Sequence, residues 1–383
     1  MTPSRSVRRY VPWVVPAATI ATITAAFVIP STATASSHPN LPARTPAQLL
    51  AAVESTTVEQ LSGTVVETAR LGLPDLPGAD NASGLSLQTL ATGAHTVRVW
   101  LDGPDRQRIA LLGQLSESDV IHNGADVWTY DSNTQTVGHS VRAADPAGGE
   151  QNKAARPDKV VTGHTPQDVA AEALKAIDPS TKVTVDRTAR VAGRAAYTLV
   201  LTPRDTRSTV REVAIAIDAK RMVPLRVQVF GAAAKPAFEI SFTDVSFSKP
   251  AASVFRFVAP KGAKTTKDLF GTTGSPADQT PDPKASSSAP EKPGASPTVL
   301  GSGWTSVLAL PAGSSPVAAL SSGPADVKDR ATSLLDKLTT TLPNGDKVLR
   351  TALINVLTTP DGRSFVGAVS VDVLEQAAAG KLG

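Results

Sequence analysis

The chain has 383 residues, enough for two domains, and 41% of them are hydrophobic, so a substantial core can form. Its formal net charge is +4, but Arg5, Arg8 and Arg9 all precede the first acidic residue, Glu54, and residues 36–383 carry a net charge of only +1. A chain so close to neutral lacks the basic surface that nucleic-acid binding requires. The absence of cysteine excludes disulfides, thiol nucleophiles and thiolate metal sites.

Residues 1–35 have the layout of an export segment. The three arginines are followed by residues 11–30, which carry no charge, and then by Ala33-Thr34-Ala35, a small-x-small cleavage pattern. We expect a cleaved signal peptide; the alternative is an uncleaved membrane anchor through residues 11–30, since about 18 to 20 apolar residues can span a bilayer. Both interpretations predict that residue 36 onward is extracytoplasmic, either secreted or in the cell envelope, because the arginines remain inside.

Residues 36–270 are predicted to form a large, mainly β domain with two helices. Thr45-Pro46 and Thr165-Pro166 are typical helix starts, the second opening a helix over 165–177. The remaining segments alternate apolar and polar residues with a period of two, which is typical of half-buried strands. After Phe242 the apolar phase shifts by one residue, and this shift predicts a β-bulge near Thr243-Asp244.

These elements predict an α+β fold with a curved antiparallel sheet, an open half-barrel, under a helical lid. Because only 4% of the residues are aromatic, complete filling of the concave side is not assured, and a lipid-binding cavity is the functional hypothesis. Its candidate lining residues are the apolar positions of three strands: Val97, Val99, Leu101, Val213, Ile215, Ile217, Phe238, Ile240 and Phe242. Trp100, Trp128 and Tyr130 are candidates for the cavity rim or, alternatively, for ordinary cross-strand packing.

A second, smaller domain is expected after a linker. Residues 271–298 are rich in Pro, Ser and Ala and predict an extended connection. Residues 299–383 are expected to form a small α+β domain with a helix near 324–341, a short C-terminal helix, and a hairpin turn at Asp361-Gly362.

Several segments between residues 45 and 265 resemble the periplasmic lipoprotein-carrier superfamily. The segments are SGTVVETARLGL, NGADVWTYDSNTQTV, REVAIAIDAKRMVPLRVQVFG, FEISFTDVSFS and SVFRFVAPKGAK. This group includes outer-membrane lipoprotein carriers, mycobacterial lipid-binding lipoproteins, a sporulation-associated family and periplasmic regulators of anti-sigma factors. The resemblance implies a half-barrel that holds an acyl chain, and the Ala-, Thr- and Pro-rich composition is typical of GC-rich, actinobacterial-type genomes.

No residue pattern points to catalysis. The five histidines have no metal-ligand spacing, Gly-x-Ser-x-Gly is absent, and His122, before the Asn123-Gly124 turn, is expected at the surface. We therefore expect no enzyme activity, no catalytic residues, no metal and no cofactor. Three hypotheses remain: a carrier of a lipid or lipoprotein acyl chain, a regulator that senses envelope lipids or lipoproteins and acts on a membrane-bound partner such as an anti-sigma factor, or a structural envelope protein without ligand.

Overall fold

The structure is a computed structural model, and it describes residues 39–73, 92–113, 116–141, 165–175, 177–266, 296–314 and 337–382, together with Arg330, Ser333 and Leu334. The predicted export segment and residues 271–295 of the predicted linker lie outside the described residues. All described residues belong to one unit, His38–Gly383. Within these ranges, no helix has the length and apolar content needed to cross a membrane.

The described residues form three α-helices and two β-sheets. The helices are α1 (Pro46–Glu54), α2 (Pro166–Lys175) and α3 (Val371–Ala378). The large sheet contains β1 (Gln60–Arg70), β2 (Thr92–Asp102), β3 (Arg106–Leu112), β4 (Glu117–Asn123), β5 (Asp126–Asp131), β6 (Thr136–Val141), β7 (Thr181–Val191), β8 (Arg194–Pro203), β9 (Glu212–Asp218), β10 (Pro224–Phe230), β11 (Phe238–Ser246) and β12 (Lys264–Thr266). The small sheet contains β13 (Thr298–Leu300), β14 (Val307–Leu310), β15 (Thr339–Thr341), β16 (Lys347–Arg350), β17 (Asn355–Thr358) and β18 (Ser364–Gly367).

The large sheet is two meanders joined at its centre. Its strand order is β12-β6-β5-β4-β3-β2-β1-β11-β10-β9-β8-β7. The chain begins with β1 in the middle of the sheet, adds β2 to β6 in turn on one side, and continues with β7 at the opposite edge. It then returns until β11 pairs with β1. All pairings are antiparallel except that of β12 with β6. This curved open sheet, with a second small sheet and three helices, confirms the predicted fold class.

The alternation of the strands places one row of apolar side chains on a common face, which we call the inner face. Val65 of β1 is paired with Val97 of β2 on one side and with Phe242 of β11 on the other. The row continues through Ile240, Val227, Ile215 and Leu199 on neighbouring strands, all fully buried. The opposite face is called the outer face below.

The predicted bulge lies where the two meanders meet. Thr64 pairs with Asp244 and Val65 with Phe242, so Thr243 is the extra residue in β11. The bulge explains the phase shift in the sequence, because one inserted residue moves the following side chains to the other face.

The small sheet confirms two predictions and corrects a third. The hairpin of β17 and β18 turns at Asp361-Gly362, where Gly362 has a φ of +84°, and α3 forms the short C-terminal helix. Within the helix expected near 324–341, the described residues Arg330, Ser333, Leu334, Lys337 and Leu338 are helical, but the C-terminal end of the prediction is wrong, since Thr339–Thr341 is strand β15, paired with β16. Three threonines have high strand propensity, and the neighbouring strand β16 provides their hydrogen-bond partners.

The small sheet packs directly on the large one. Backbone hydrogen bonds join Thr209 N to Ala368 O (2.9 Å) and Ser370 N to Arg207 O (2.8 Å), both in the loop that leads into β9. A third joins Ala352 N to Leu71 O (2.8 Å). Leu353 of the small domain is buried in the same core cluster as the inner face, so the two sheets share apolar packing.

Gly63 provides a test of the bulge. A Cβ at this position would lie 2.5 Å from the backbone oxygen of Asp244 and 2.9 Å from the Phe242 ring. Because the first atom is backbone, Gly63→Ala should force the strands apart and lower the free energy of unfolding by about 1–3 kcal/mol. Urea unfolding measures the change; Ser62→Ala, on the adjacent position, is the control and should stay within ~0.5 kcal/mol of wild type. Equal stability of the two variants would contradict the close strand approach.

Candidate functional site

A cavity of about 690 Å³ lies between the large sheet and the two lid helices, α1 and α2. Its floor is formed by Val99 and Leu101 of β2 and by Gln107 and Ile109 of β3. The lid side consists of the end of α1 with the following turn (Val53, Glu54, Thr56, Thr57, Val58) and of Thr165, Gln167, Asp168, Ala171, Leu174 and Lys175 at α2. The third wall is the turn Met222, Val223 and Pro224.

The two lid helices are fixed by their N-terminal caps. Thr45 and Gln48 form a capping box on α1, with Thr45 N donating to Gln48 Oε1 (2.9 Å) and Gln48 N donating to Thr45 Oγ1 (3.3 Å). On α2, Thr165 Oγ1 donates to Asp168 Oδ2 (2.6 Å) and accepts from Asp168 N (3.2 Å). The Thr-Pro pairs that predicted the helices therefore also set where the lid begins.

The third wall depends on the β9–β10 hairpin, which Asp218 holds in place. The Asp218 carboxylate, 1% exposed, accepts hydrogen bonds from Arg194 and from the backbone N–H groups of Lys220 (2.9 Å) and Arg221 (2.6 Å). Burial alone raises the pKa of Asp218, but these hydrogen bonds outweigh it and lower the pKa. The turn leaves Met222 with a φ of +57°, a left-handed conformation rarely adopted by a side chain of this size.

Two of the nine predicted lining residues, Val99 and Leu101, line this cavity. Six others lie in the hydrophobic core with at most 3% exposure: Val97, Val213, Ile215, Ile217, Ile240 and Phe242. Phe238 is half-buried and packs against that core. The inner face therefore has two regions: a solid core that covers β1, β8–β11 and the adjoining part of β2 and β3, and a cavity over the ends of β2 and β3 that contain Leu101 and Gln107.

The three predicted rim residues lie on the outer face and do not line this cavity. The Trp100 ring lies 5.4 Å from the Arg108 guanidinium, and Trp128 stacks on the His139 ring with centroids 3.6 Å apart. Tyr130 packs near Phe257 at 6.1 Å. These contacts are cross-strand and surface packing.

Sequence reasoning missed the lid residues and the hairpin wall. The helix over 165–177 was expected, but not that Gln167, Ala171 and Leu174 would line a cavity; their i, i+4 and i+7 spacing was the available signal. The surface position predicted for His122 is wrong, because the residue is 4% exposed and its Nε2 donates to Gly124 O (2.8 Å). His122 is opposite Gln107 of the cavity floor, so the strand register, not the adjacent turn, determines its burial.

Burial has a free-energy cost for two polar side chains. Gln167 has both amide atoms, Oε1 and Nε2, buried and without a hydrogen-bond partner among the described residues. Leaving such a group unpaired costs about 1–3 kcal/mol. Glu67, on the inner face between His95 and Ile240, is 2% exposed, and burial raises its pKa from 4.5 to about 7.

Among the described residues, no group of three or more His, Cys, Asp or Glu side chains is arranged to hold a metal ion.

No protein-family model matches the chain, and no curated protein matches it. Among solved structures, a chain of the Pseudomonas aeruginosa MucA/MucB complex is 17% identical, with 86% of this chain and 94% of that chain covered and a TM-score of 0.38. A LolA superfamily protein from Nitrosomonas europaea is 11% identical (56% and 99% covered, TM-score 0.21). A putative outer membrane lipoprotein-sorting domain from Vibrio parahaemolyticus is 10% identical (55% and 94% covered, TM-score 0.21). Similarities at this level do not place the chain in a family, so its function is argued from the cavity.

Glu67 predicts an unusual pH dependence of stability. Between pH 4.5 and about 7 the folded protein keeps a proton on Glu67 that the unfolded chain releases, so stability falls as pH rises through this interval. The loss is complete about one pH unit above the folded pKa of about 7 and amounts to ~3 kcal/mol. Glu67→Gln, which mimics the protonated acid, should unfold at nearly the wild-type temperature at pH 4.5 and at a higher temperature at pH 8. Thermal melting across this range measures the effect.

The matched control is Glu54→Gln, because Glu54 is exposed. Its melting temperature should follow the wild type at every pH. Parallel curves for Glu67→Gln and wild type would contradict a raised pKa at Glu67.

Proposed function

We propose that this protein is an extracytoplasmic, non-enzymatic binding protein that holds the acyl chain of a lipid or lipoprotein in the cavity beneath its lid helices. The observation that supports the proposal is the cavity itself. Its volume of about 690 Å³ lies within the range of ligand sites, about 300–1,000 Å³. The export segment predicted over residues 1–35 supports the proposal of an extracytoplasmic location.

The chemistry of the walls fits an acyl chain. Val99, Leu101 and Ile109 on the floor face Leu174 on the lid, and Met222 closes the side. Thioether and aliphatic side chains offer dispersion contacts without directional demands. Burial of an acyl chain in such surroundings contributes about 0.8 kcal/mol for each CH₂ group.

The lid side of the cavity also carries charged groups, which a lipid head group can contact. The charged lining residues Glu54, Asp168 and Lys175 all belong to the lid helices, and Lys175 pairs with Glu172 at 2.7 Å on the exposed side of α2. An acyl chain would lie along the apolar floor, with its head group directed to the lid.

Filling the cavity tests the proposal. Ala171 is exposed and lines the cavity, so Ala171→Trp should introduce a ring into the space without disturbing the core. We expect the delipidated wild type to bind a fluorescent fatty-acid probe and Ala171→Trp to bind it at least tenfold more weakly with an unchanged melting temperature. Ala51→Trp, at an exposed position of α1 outside the cavity, is the control and should bind like wild type.

Native mass spectrometry of the exported protein should in addition detect bound lipid. A delipidated wild type that binds no probe would contradict the proposal and favour a structural envelope protein. Equal binding by Ala171→Trp and Ala51→Trp would place the probe outside this cavity.

The second candidate function is a regulator that senses a lipid and acts on a membrane-bound partner. One observation favours it: strand β9 connects the two regions involved. The N-terminal end of β9 follows the loop of residues 207–210, which is hydrogen-bonded to the small sheet region. The C-terminal end of β9 leads into the turn of residues 222–224, which forms a wall of the cavity. A ligand that shifts this wall can act on the junction with the small sheet through strand β9, which is seven residues long.

Hydrogen exchange distinguishes the regulator from the simple carrier. In a regulator, saturating fatty-acid probe should change the exchange rates of the junction amides Thr209 and Ser370 by more than those of Leu357, inside the small sheet. A simple carrier should show slower exchange at the lid helices and unchanged exchange at the junction, a result that would remove the regulatory candidate.

A further inference from the structure

The Gln167 side chain is a polar group in the cavity wall whose amide makes no hydrogen bond with the described residues. It occupies the second position of α2, lines the cavity, and has no hydrogen-bond partner for Oε1 or Nε2 among the residues that the structure describes. A primary amide offers two donors and one acceptor, so an unpaired one is an unused recognition group.

The other uncharged polar residues of the wall differ from Gln167. Thr56 Oγ1 donates to Ala52 O (2.7 Å), Gln107 Nε2 donates to Pro104 O (3.3 Å), and Thr165 is engaged with Asp168 in the helix cap. Thr57 is exposed and can bond to water. Gln167 therefore stands apart among these residues, since its amide is both shielded from solvent and unpaired.

The surroundings of Gln167 keep its backbone fixed, and no hydrogen bond to a described residue holds its side-chain amide. The cap between Thr165 and Asp168 and the burial of Pro166 hold the first turn of α2 in place. A rotation of the Gln167 amide towards the cavity breaks no hydrogen bond with the described part of the protein. A ligand group that pairs with the amide would then compensate its burial.

We propose that Gln167 binds the head of an uncharged acyl lipid in which a carbonyl acceptor lies next to a hydroxyl or N–H donor, as in a monoacylglycerol. The proposal rests on the acyl-binding function and adds the chemical class of the head group. Both amide atoms are unpaired, so the complementary ligand supplies an acceptor for Nε2 and a donor for Oε1. The carboxylate of Asp168, the residue next to Gln167, disfavours an anionic head group, and the cation of Lys175, which also lines the cavity, is already paired with Glu172.

Competition against a bound fluorescent fatty-acid probe tests the head-group preference. 1-Lauroylglycerol, methyl laurate and laurate at pH 8 share one chain and differ only in the head. We expect 1-lauroylglycerol to bind the wild type about tenfold more tightly than methyl laurate, which corresponds to ~1.4 kcal/mol, and laurate to bind more weakly than 1-lauroylglycerol.

Gln167→Leu keeps the approximate size of the side chain and removes both polar atoms. It should abolish the preference for 1-lauroylglycerol, leave the affinity for methyl laurate unchanged, and raise the melting temperature of the ligand-free protein. Gln107→Leu is the control in the same cavity, because the Gln107 amide already has a protein partner, and it should retain the preference. Gln167→Met repeats the test with a flexible side chain if the leucine variant fails to fold.

The outcomes separate the two proposals. If the wild type binds all three lauroyl compounds equally, or if Gln167→Leu keeps the preference, the role of Gln167 is overturned while acyl binding stands. If the wild type binds neither the probe nor any lauroyl compound, acyl binding fails and the head-group proposal fails with it.

Discussion

Two short helices have to cover the apolar face of a twelve-stranded sheet. Helices α1 and α2 contain nine and ten residues, so each is only about 15 Å long at 1.5 Å per residue. They cannot seal the whole inner face. On the side of β1 and β8–β11, large side chains such as Phe242 and Leu199 fill the space, whereas over β2 and β3 the floor residues Val99 and Ile109 leave a gap beneath the lid. The cavity is thus a consequence of the mismatch between sheet and lid.

The walls of this cavity are held by polar interactions that lie outside it. The caps at Thr45 and Thr165 set the start of each lid helix, and the buried Asp218 fixes the hairpin that presents Met222. Each of these groups is satisfied by several hydrogen bonds. By contrast, Gln167 has no partner among the described residues, and Glu67 has its pKa raised by burial. Buried polar groups that lack compensating interactions, in a fold whose other polar groups are paired, are typical of functional sites.

The small sheet packs against the large one within a single unit of the chain. Its Leu353 enters the core of the inner face, and its backbone is bonded to the loop that precedes β9. Strand β9 therefore connects the loop at the junction of the two sheets with the turn that forms a wall of the cavity.

The local pattern of the sequence determined the elements of this protein. Alternation with a period of two identified the strands and their faces, the Thr-Pro pairs identified both helix starts, and the phase shift after Phe242 located the bulge, because each depends on neighbours only a few residues away. Only the tertiary structure decided which apolar residues meet a solid core and which meet a cavity. Val97 and Val99 are indistinguishable in sequence, yet only Val99 lines the cavity, since its surroundings depend on strands and helices distant in the chain. The same reason applies to His122, whose burial depends on the strand opposite it, and to Thr339–Thr341, where pairing with β16 replaced the expected helix.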